Sequence, residues 1–305
     1  MRDPVTVACV QAEPVILDRE ATLDKVEALT AEAAGKGASL VVFPETFVPA
    51  YPSSVWAKHL AGWGDERAKA AFALLARESV AVPGPAADRL GAIAREHGVW
   101  LITGVNETDP QRPGTLYNAL LYHAPDGLLA QHHRKLVPTN HERLVWGQGD
   151  GSGLRAIETP IGRLGGLICW ENYMPLARFA LYESGLEIYI ASTADDSEEW
   201  QATLVHLARE SRAFVVAPCH FQRASSYPAD FPLADALEGR DLLGSGGSAI
   251  LAPDGSYLAG PVYEEETILY AELDPTRLLE QRQRFDPAGH YHRPDVLGLR
   301  VTPLT

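Results

Sequence analysis

The stretch GRLGGLICWENYMP, Gly162 to Pro175, sets a short apolar run against a cysteine, then an acid, an amide and a proline. LGGLIC reads as a buried strand, and Pro175 as the first residue of a helix. Cys169 therefore falls where the strand stops. A thiol kept only for packing belongs inside the run. At the strand's end it can face a cavity, and loops at strand ends are where side chains converge on substrates.

Two similar places lie upstream. ASLVVFPE is a short β-branched strand whose end is marked by Pro44, so Glu45 stands just beyond it. YNALLYHAPDGLLAQHHRK reads as two strands turning at Asp126-Gly127, with Lys135 following the second. A carboxylate, an amine and a thiol at three strand ends suit nucleophilic chemistry. The thiol attacks as thiolate, Glu45 can accept its proton, and Lys135 can stabilise negative charge. The backbone N–H after the nucleophile can act as a second donor to a developing anion. Spacing alone leaves a plainer reading open: a capping acid, a surface amine and a packed thiol.

The rest of the chain reads as strands alternating with helices. VTVACVQAEP is a first strand, and Asp18 caps a helix carrying Leu23, Val26, Leu29 and Ala33. AADRLGAIAREHG and SEEWQATLVHLARESR are helices; VWLITGV, LEIYIAST, AFVVAPC and ETILYAEL are strands. GSAILAPDGSYLAG is a second hairpin. APDG thus occurs at 124–127 and again at 252–255, which suggests two similar halves. Strands, hairpins and outer helices imply mixed sheets with helices packed outside. The least regular part, 222–247, reads as a surface loop.

Composition narrows the function. The formal net charge of −14 disfavours nucleic-acid binding. No apolar run is long enough to span a bilayer, and the N-terminus enters a strand pattern with no export leader. The three cysteines, Cys9, Cys169 and Cys219, are far apart and form no CxxC, so a reducing cytoplasm is expected and thiolate zinc is not. Cys9 and Cys219 lie in apolar runs and are expected to pack. His132-His133 and His290–His292 lack a further ligand at useful spacing, so no metal is expected. The glycine runs GDGSG and GSGGS lack the lysine of a phosphate loop and read as turns.

FPETFVPAYP, HRKLVPTNHERLVWGQGDGSGL and GGLICWENYMPLARFALY resemble the three motif regions of the carbon–nitrogen hydrolase superfamily, its nitrilase branch in particular. The tail RFDPAGHYHRPDVLGL resembles that branch too, and the intervals from Glu45 to Lys135 (90 residues) and on to Cys169 (34 residues) agree with it. The resemblance implies a four-layer αββα sandwich spanning 1–305 as one domain, with a C-terminal extension from about 285. It implies catalysis by Glu45, Lys135 and Cys169, with Glu142 as a fourth residue, and no metal or organic cofactor. It implies hydrolysis of a small nitrile to the acid and ammonia through a thioimidate and a thioester. Trp170 and Tyr51 are expected to line the substrate pocket. Competing readings are an amidase, a cyanide-hydrating relative and a catalytically silent scaffold. A papain-like protease is disfavoured, since no histidine–asparagine pair stands in a suitable context.

The resemblance also implies a homodimer, which relatives of this branch extend into higher oligomers or spirals through long tails. Only RVTPLT follows GHYHRPDVLGL here. Any higher assembly is therefore expected to rest on the globular body, with the helix around Trp200 and the CWENYMPLARFALY region as candidate surfaces.

Overall fold

The computed structural model describes residues 1–303, so the last two positions of the RVTPLT tail fall outside it. The first half of the chain builds β1 (Val5–Gln11), β2 (Leu40–Val42), β3 (Val80–Ala81), β4 (Trp100–Asp109), β5 (Arg112–His123) and β6 (Leu129–Arg134). The second half builds β7 (Ile157–Thr159), β8 (Gly162–Gly166), β9 (Ile188–Ile190), β10 (Phe214–Ala217), β11 (Phe221–Arg223), β12 (Leu242–Leu251) and β13 (Tyr257–Tyr263). The chain then returns to the first sheet: β14 (Thr267–Leu273) pairs antiparallel with β1.

The first sheet runs β14-β1-β2-β4-β5-β6, with β3 on the outer part of β4. The second runs β11-β12-β10-β9-β8-β7, with β13 on β12. The sheets are mixed, since β1, β2 and β4 are mutually parallel and β4 pairs antiparallel with β5.

Alternation along the strands explains the layers. Val7, Cys9, Leu40, Val42, Ile102, Leu120 and Tyr122 point inward from the first sheet. They meet Leu164, Ile188, Ile190, Phe214, Val216 and Ile250 from the second. The intervening residues Ala8, Val10, Val41, Leu101 and Leu121 pack outward against Leu23, Val26, Leu90 and Ile93 of two helices, α1 (Arg19–Gly35) and α4 (Pro85–His97). Tyr189, Val215 and Leu251 pack outward on the other side. There they meet Leu181, Leu204 and Leu207 of α5 (Pro175–Glu183) and α6 (Glu198–Ser211). Both sheets are thus buried on both faces, which is why their strands read as nearly continuous apolar runs. The result is a four-layer αββα sandwich.

The two APDG turns are alike in backbone bonding. Gly127 N–H donates to Ala124 O at 2.8 Å, and Gly255 N–H to Ala252 O at 2.9 Å. One turn joins β5 to β6 in the first sheet, and the other joins β12 to β13 in the second.

One expectation is corrected. The segment 222–247 is no free surface loop: Tyr227, Phe231, Leu233 and Leu237 are buried against Trp56 and Leu75. The Trp56 indole donates to the Tyr227 hydroxyl at 2.7 Å. Scattered aromatics anchor this segment without forming a periodic pattern, so its packing was not readable as a strand or helix. The helices α2 (Ser54–Ala57) and α3 (Glu66–Glu78), which form the other part of that cluster, had no counterpart in the sequence reading. Trp200 itself is fully buried on α6, so the outer face of that helix is formed by other residues, Ala202, His206 and Arg209 among them.

Candidate active site

Glu45 sits on a short excursion between two attachments to β4. Phe43 N–H donates to Ile102 O and Val48 N–H to Gly104 O, at 2.9 and 3.1 Å, and Pro44–Phe47 bows out between them. Gly104 makes this crossing feasible. A Cβ there would lie 2.1 Å from Pro44 O and 2.5 Å from Thr46 N. His220 donates its Nε2–H to the Glu45 carbonyl, which fixes the imidazole tautomer and pins the excursion from the second sheet. Burial lowers His220 to about 4, so the ring is neutral.

Lys135 follows β6 directly, and its ammonium is fully buried. Nζ donates to Glu45 Oε1 and to Glu142 Oε2, both at 2.8 Å. An ammonium has three donors, so one remains for another acceptor. Asn118 on β5 donates to Glu45 Oε1 at 2.6 Å. Glu45 Oε2 is buried and has no partner among the described residues. Burial holds the Glu45 carboxyl above the usual carboxylate range despite Lys135, and Glu142 pushes in the same direction. Burial opposes the charge on Lys135, but the two carboxylates outweigh it and hold its ammonium form.

Glu142 is placed by its own backbone. It lies in a short 3-10 turn, Asn140–Leu144, and accepts from Thr139 N–H at 2.6 Å in a capping box. Its other oxygen accepts from the Tyr51 hydroxyl at 2.9 Å. Burying two carboxylates is tolerable only because Lys135 and these donors compensate them.

Cys169 is the last residue of its segment bonded to the sheet. The regular part of β8 ends at Gly166, three residues earlier than LGGLIC suggested. Leu167 N–H to Ile190 O and Cys169 N–H to Ser192 O then carry the ladder on. At Cys169 the backbone turns to φ 51°, a left-handed conformation costly for a residue with a Cβ. A 3-10 turn, Cys169–Tyr173, follows, and α5 starts only at Pro175. The first N–H groups beyond the nucleophile therefore belong to that turn and not to the helix. Burial pushes the Cys169 thiol up, Glu45 adds to this, and Lys135 opposes it.

A cavity of about 680 Å³ opens over these groups, lined by Cys169, Glu142, Tyr51, Trp170, Tyr173 and Asp195 among others. Both aromatics expected at a pocket, Tyr51 and Trp170, line it. Trp170 is half exposed, and its indole N–H donates to Asp195 Oδ2 at 2.7 Å.

Several residues of this constellation escaped the sequence reading. Glu171 is fully buried. It accepts from Ile168 N–H, Leu136 N–H and His133 Nε2 at 2.9, 2.9 and 2.8 Å. It thereby ties the backbone beside Cys169 to the backbone beside Lys135. His133, considered as a metal ligand and set aside, is its partner. His132 pairs with Glu107 at 2.7 Å. Among the described residues no group of three or more His, Cys, Asp or Glu is placed to hold a metal. The signal for Glu171 was present in CWE: an acid two residues past the thiol in a tight turn, opposite a histidine two before the lysine. Asn118 carried no such signal, since polar residues inside strands are common.

Residues 6–283 match the carbon–nitrogen hydrolase family. The chain is 42% identical over 302 residues to Nitrilase 1 of Arabidopsis thaliana, covering 97% of this chain and 86% of the plant protein. It is 44% identical over 294 residues to an aliphatic nitrilase of Sinorhizobium fredii (strain HH103), covering 96% and 94%. Among solved structures, a carbon–nitrogen hydrolase from Helicobacter pylori G27 superposes with a TM-score of 0.74 at 22% identity, covering 96% and 97%. That last likeness speaks for the fold alone.

Proposed function

This chain belongs to the carbon–nitrogen hydrolase family, and from that membership we propose that it is a nitrilase with Cys169 as its nucleophile. The nitrilase assignment rests on similarity above 40% to named nitrilases across nearly the whole chain. The assignment of roles rests chiefly on one observation: a buried lysine held between two buried carboxylates, beside a cavity that a strained cysteine lines.

The chemistry follows from the geometry. Glu45, with one oxygen free and a raised proton affinity, takes the thiol proton as sulfur attacks the nitrile carbon. The C–S bond forms, and one C–N π pair becomes a lone pair on nitrogen. The proton passes to that nitrogen and yields a neutral thioimidate. Lys135, through its remaining N–H, stabilises charge at nitrogen in the transition state; a single such donor contributes about 3 kcal/mol. Water, deprotonated by Glu45, adds to the thioimidate carbon. The tetrahedral centre then bears nitrogen, oxygen and sulfur. Protonation of nitrogen makes ammonia the better leaving group, so the thioester forms. A second water hydrolyses it to the carboxylic acid and regenerates the thiol. Tyr51 and Glu142 keep Lys135 oriented throughout, and Trp170 walls the substrate side.

We read residues 1–305 as one catalytic domain, with the stretch from about 285 as an extension. The end of the family match at 283 and of α7 (Pro275–Arg284) supports that division. A cytoplasmic site fits the three free thiols. The basic unit is a homodimer, able to grow into higher oligomers. Its contact face includes α5, where exposed Leu176 shares a groove with exposed Tyr291 and Leu297, an apolar surface suited to burial against a partner. A panel of aliphatic, aromatic and arylacetonitrile substrates, with amides in parallel, tests the function. Ammonia and acid from at least one nitrile are expected. Turnover of amides alone would make the protein an amidase, and turnover of nothing would make it a silent scaffold.

A further inference from the structure

The turn Thr193–Asp195 touches both Cys169 and the residue after it, Trp170. The Thr193 hydroxyl lies 3.1 Å from Cys169 Sγ and is fully buried. Its oxygen already accepts from Asp195 N–H at 2.9 Å. The hydroxyl hydrogen is therefore free to point at sulfur, and sulfur can accept it. Two residues on, the Asp195 carboxylate accepts from Trp170 Nε1 at 2.7 Å, while Ser197 N–H holds its other oxygen at 3.0 Å. Thr193 is itself fixed by Thr193 N–H to Pro218 O at 3.0 Å.

We propose that Thr193 is a further catalytic residue, whose hydroxyl donates a hydrogen bond to the Cys169 sulfur and stabilises the thiolate as it forms. This rests on the assignment of Cys169 as nucleophile. The proton that leaves sulfur goes to Glu45; Thr193 keeps its own and supplies only a donor. The thiol needs such help, because burial and the neighbouring Glu45 both resist its ionisation while Thr193 works the other way. Asp195 holds the indole of Trp170, the residue that follows the nucleophile.

The test uses the full-length chain with Thr193→Val, which keeps shape and removes the hydroxyl, and Thr193→Ser, which restores it. The first readout is alkylation of Cys169 by iodoacetamide, followed by peptide mass from about pH 6 to about pH 9, since the rate tracks the thiolate fraction. Thr193→Val is expected to slow it at least about tenfold at each pH, the scale for losing a hydrogen bond to a charged group. On a nitrile substrate, kcat should fall by a similar factor with KM within about twofold, as expected for an interaction made at the transition state. Thr193→Ser should recover most of both. Alkylation at the wild-type rate in folded Thr193→Val overturns the proposal, as does a serine variant as impaired as the valine one. Should Thr193→Val lack the wild-type circular dichroism, Thr193→Ala reads the same loss. Alkylation needs no nitrile, so this result stands apart from the identity of the substrate.

Discussion

Glu45 gives one oxygen to Lys135 and Asn118 and keeps the other without a partner among the described residues. That asymmetry assigns it the proton and assigns Lys135 the charge. Glu45→Gln keeps the shape and most of the hydrogen bonds but cannot accept a proton. Lys135→Met removes the charge between two buried carboxylates. Each should lower kcat by at least about 100-fold. Steady-state rates within threefold of wild type, in folded protein, would remove that residue from the mechanism. Cys9 and Cys219 are also buried thiols, yet neither lines the cavity. Cys9→Ala and Cys219→Ala should therefore retain turnover, measured as ammonia released. At this scale much was legible, because Glu45, Lys135, Cys169 and Glu142 stand inside long distinctive stretches. Asn118 and Thr193 were not, since a polar side chain within a strand or just past its end declares its partner only once the strands are paired.

Elements hold the site through their ends. Glu171 bridges the end of the β8 segment to the end of β6, through Ile168 N–H, Leu136 N–H and His133. Glu171→Ala strands two backbone donors and a histidine in a buried place. A loss of about 3–5 kcal/mol in urea unfolding is expected; a loss under about 1 kcal/mol would show that the bridge is dispensable. A pH effect follows from two other buried side chains, His123 on β5 and His220 beside Glu45. Burial lowers each from 6.5 to about 4 in the folded protein. Between those values the unfolded chain binds more protons, so stability is fully present above pH 6.5 and is lost as pH falls towards 4. The full effect is about 3 kcal/mol per histidine. Replacing both with Gln should flatten the stability profile across that window, and an unchanged slope would contradict the reading. Strand and helix order was largely visible in the sequence, because both faces of both sheets are apolar. The helices α2 and α3 and the packing of 222–247 were not, because they bury scattered aromatics and alanines against one another with no lasting period.

The whole molecule is two sheets closed by the return of β14 to β1, and the three key side chains come from both sheets. Glu45 and Lys135 follow strands of the first sheet and Cys169 a strand of the second, so the site exists only when the sandwich is assembled. An exposed apolar surface around Leu176 adds the expectation of a dimer, which light scattering across a dilution series checks. A fully active monomer at micromolar protein would contradict it. The most direct measurement concerns the covalent intermediate. The enzyme is mixed with a turned-over nitrile, quenched in acid within the first turnovers, digested and weighed by mass spectrometry. The expected result is a mass increase equal to the acyl or imidoyl group on the peptide containing Cys169, absent from Cys169→Ala, with one ammonia released per acid formed. An adduct on Cys9 or Cys219 alone, or acid production by folded Cys169→Ala, would contradict it.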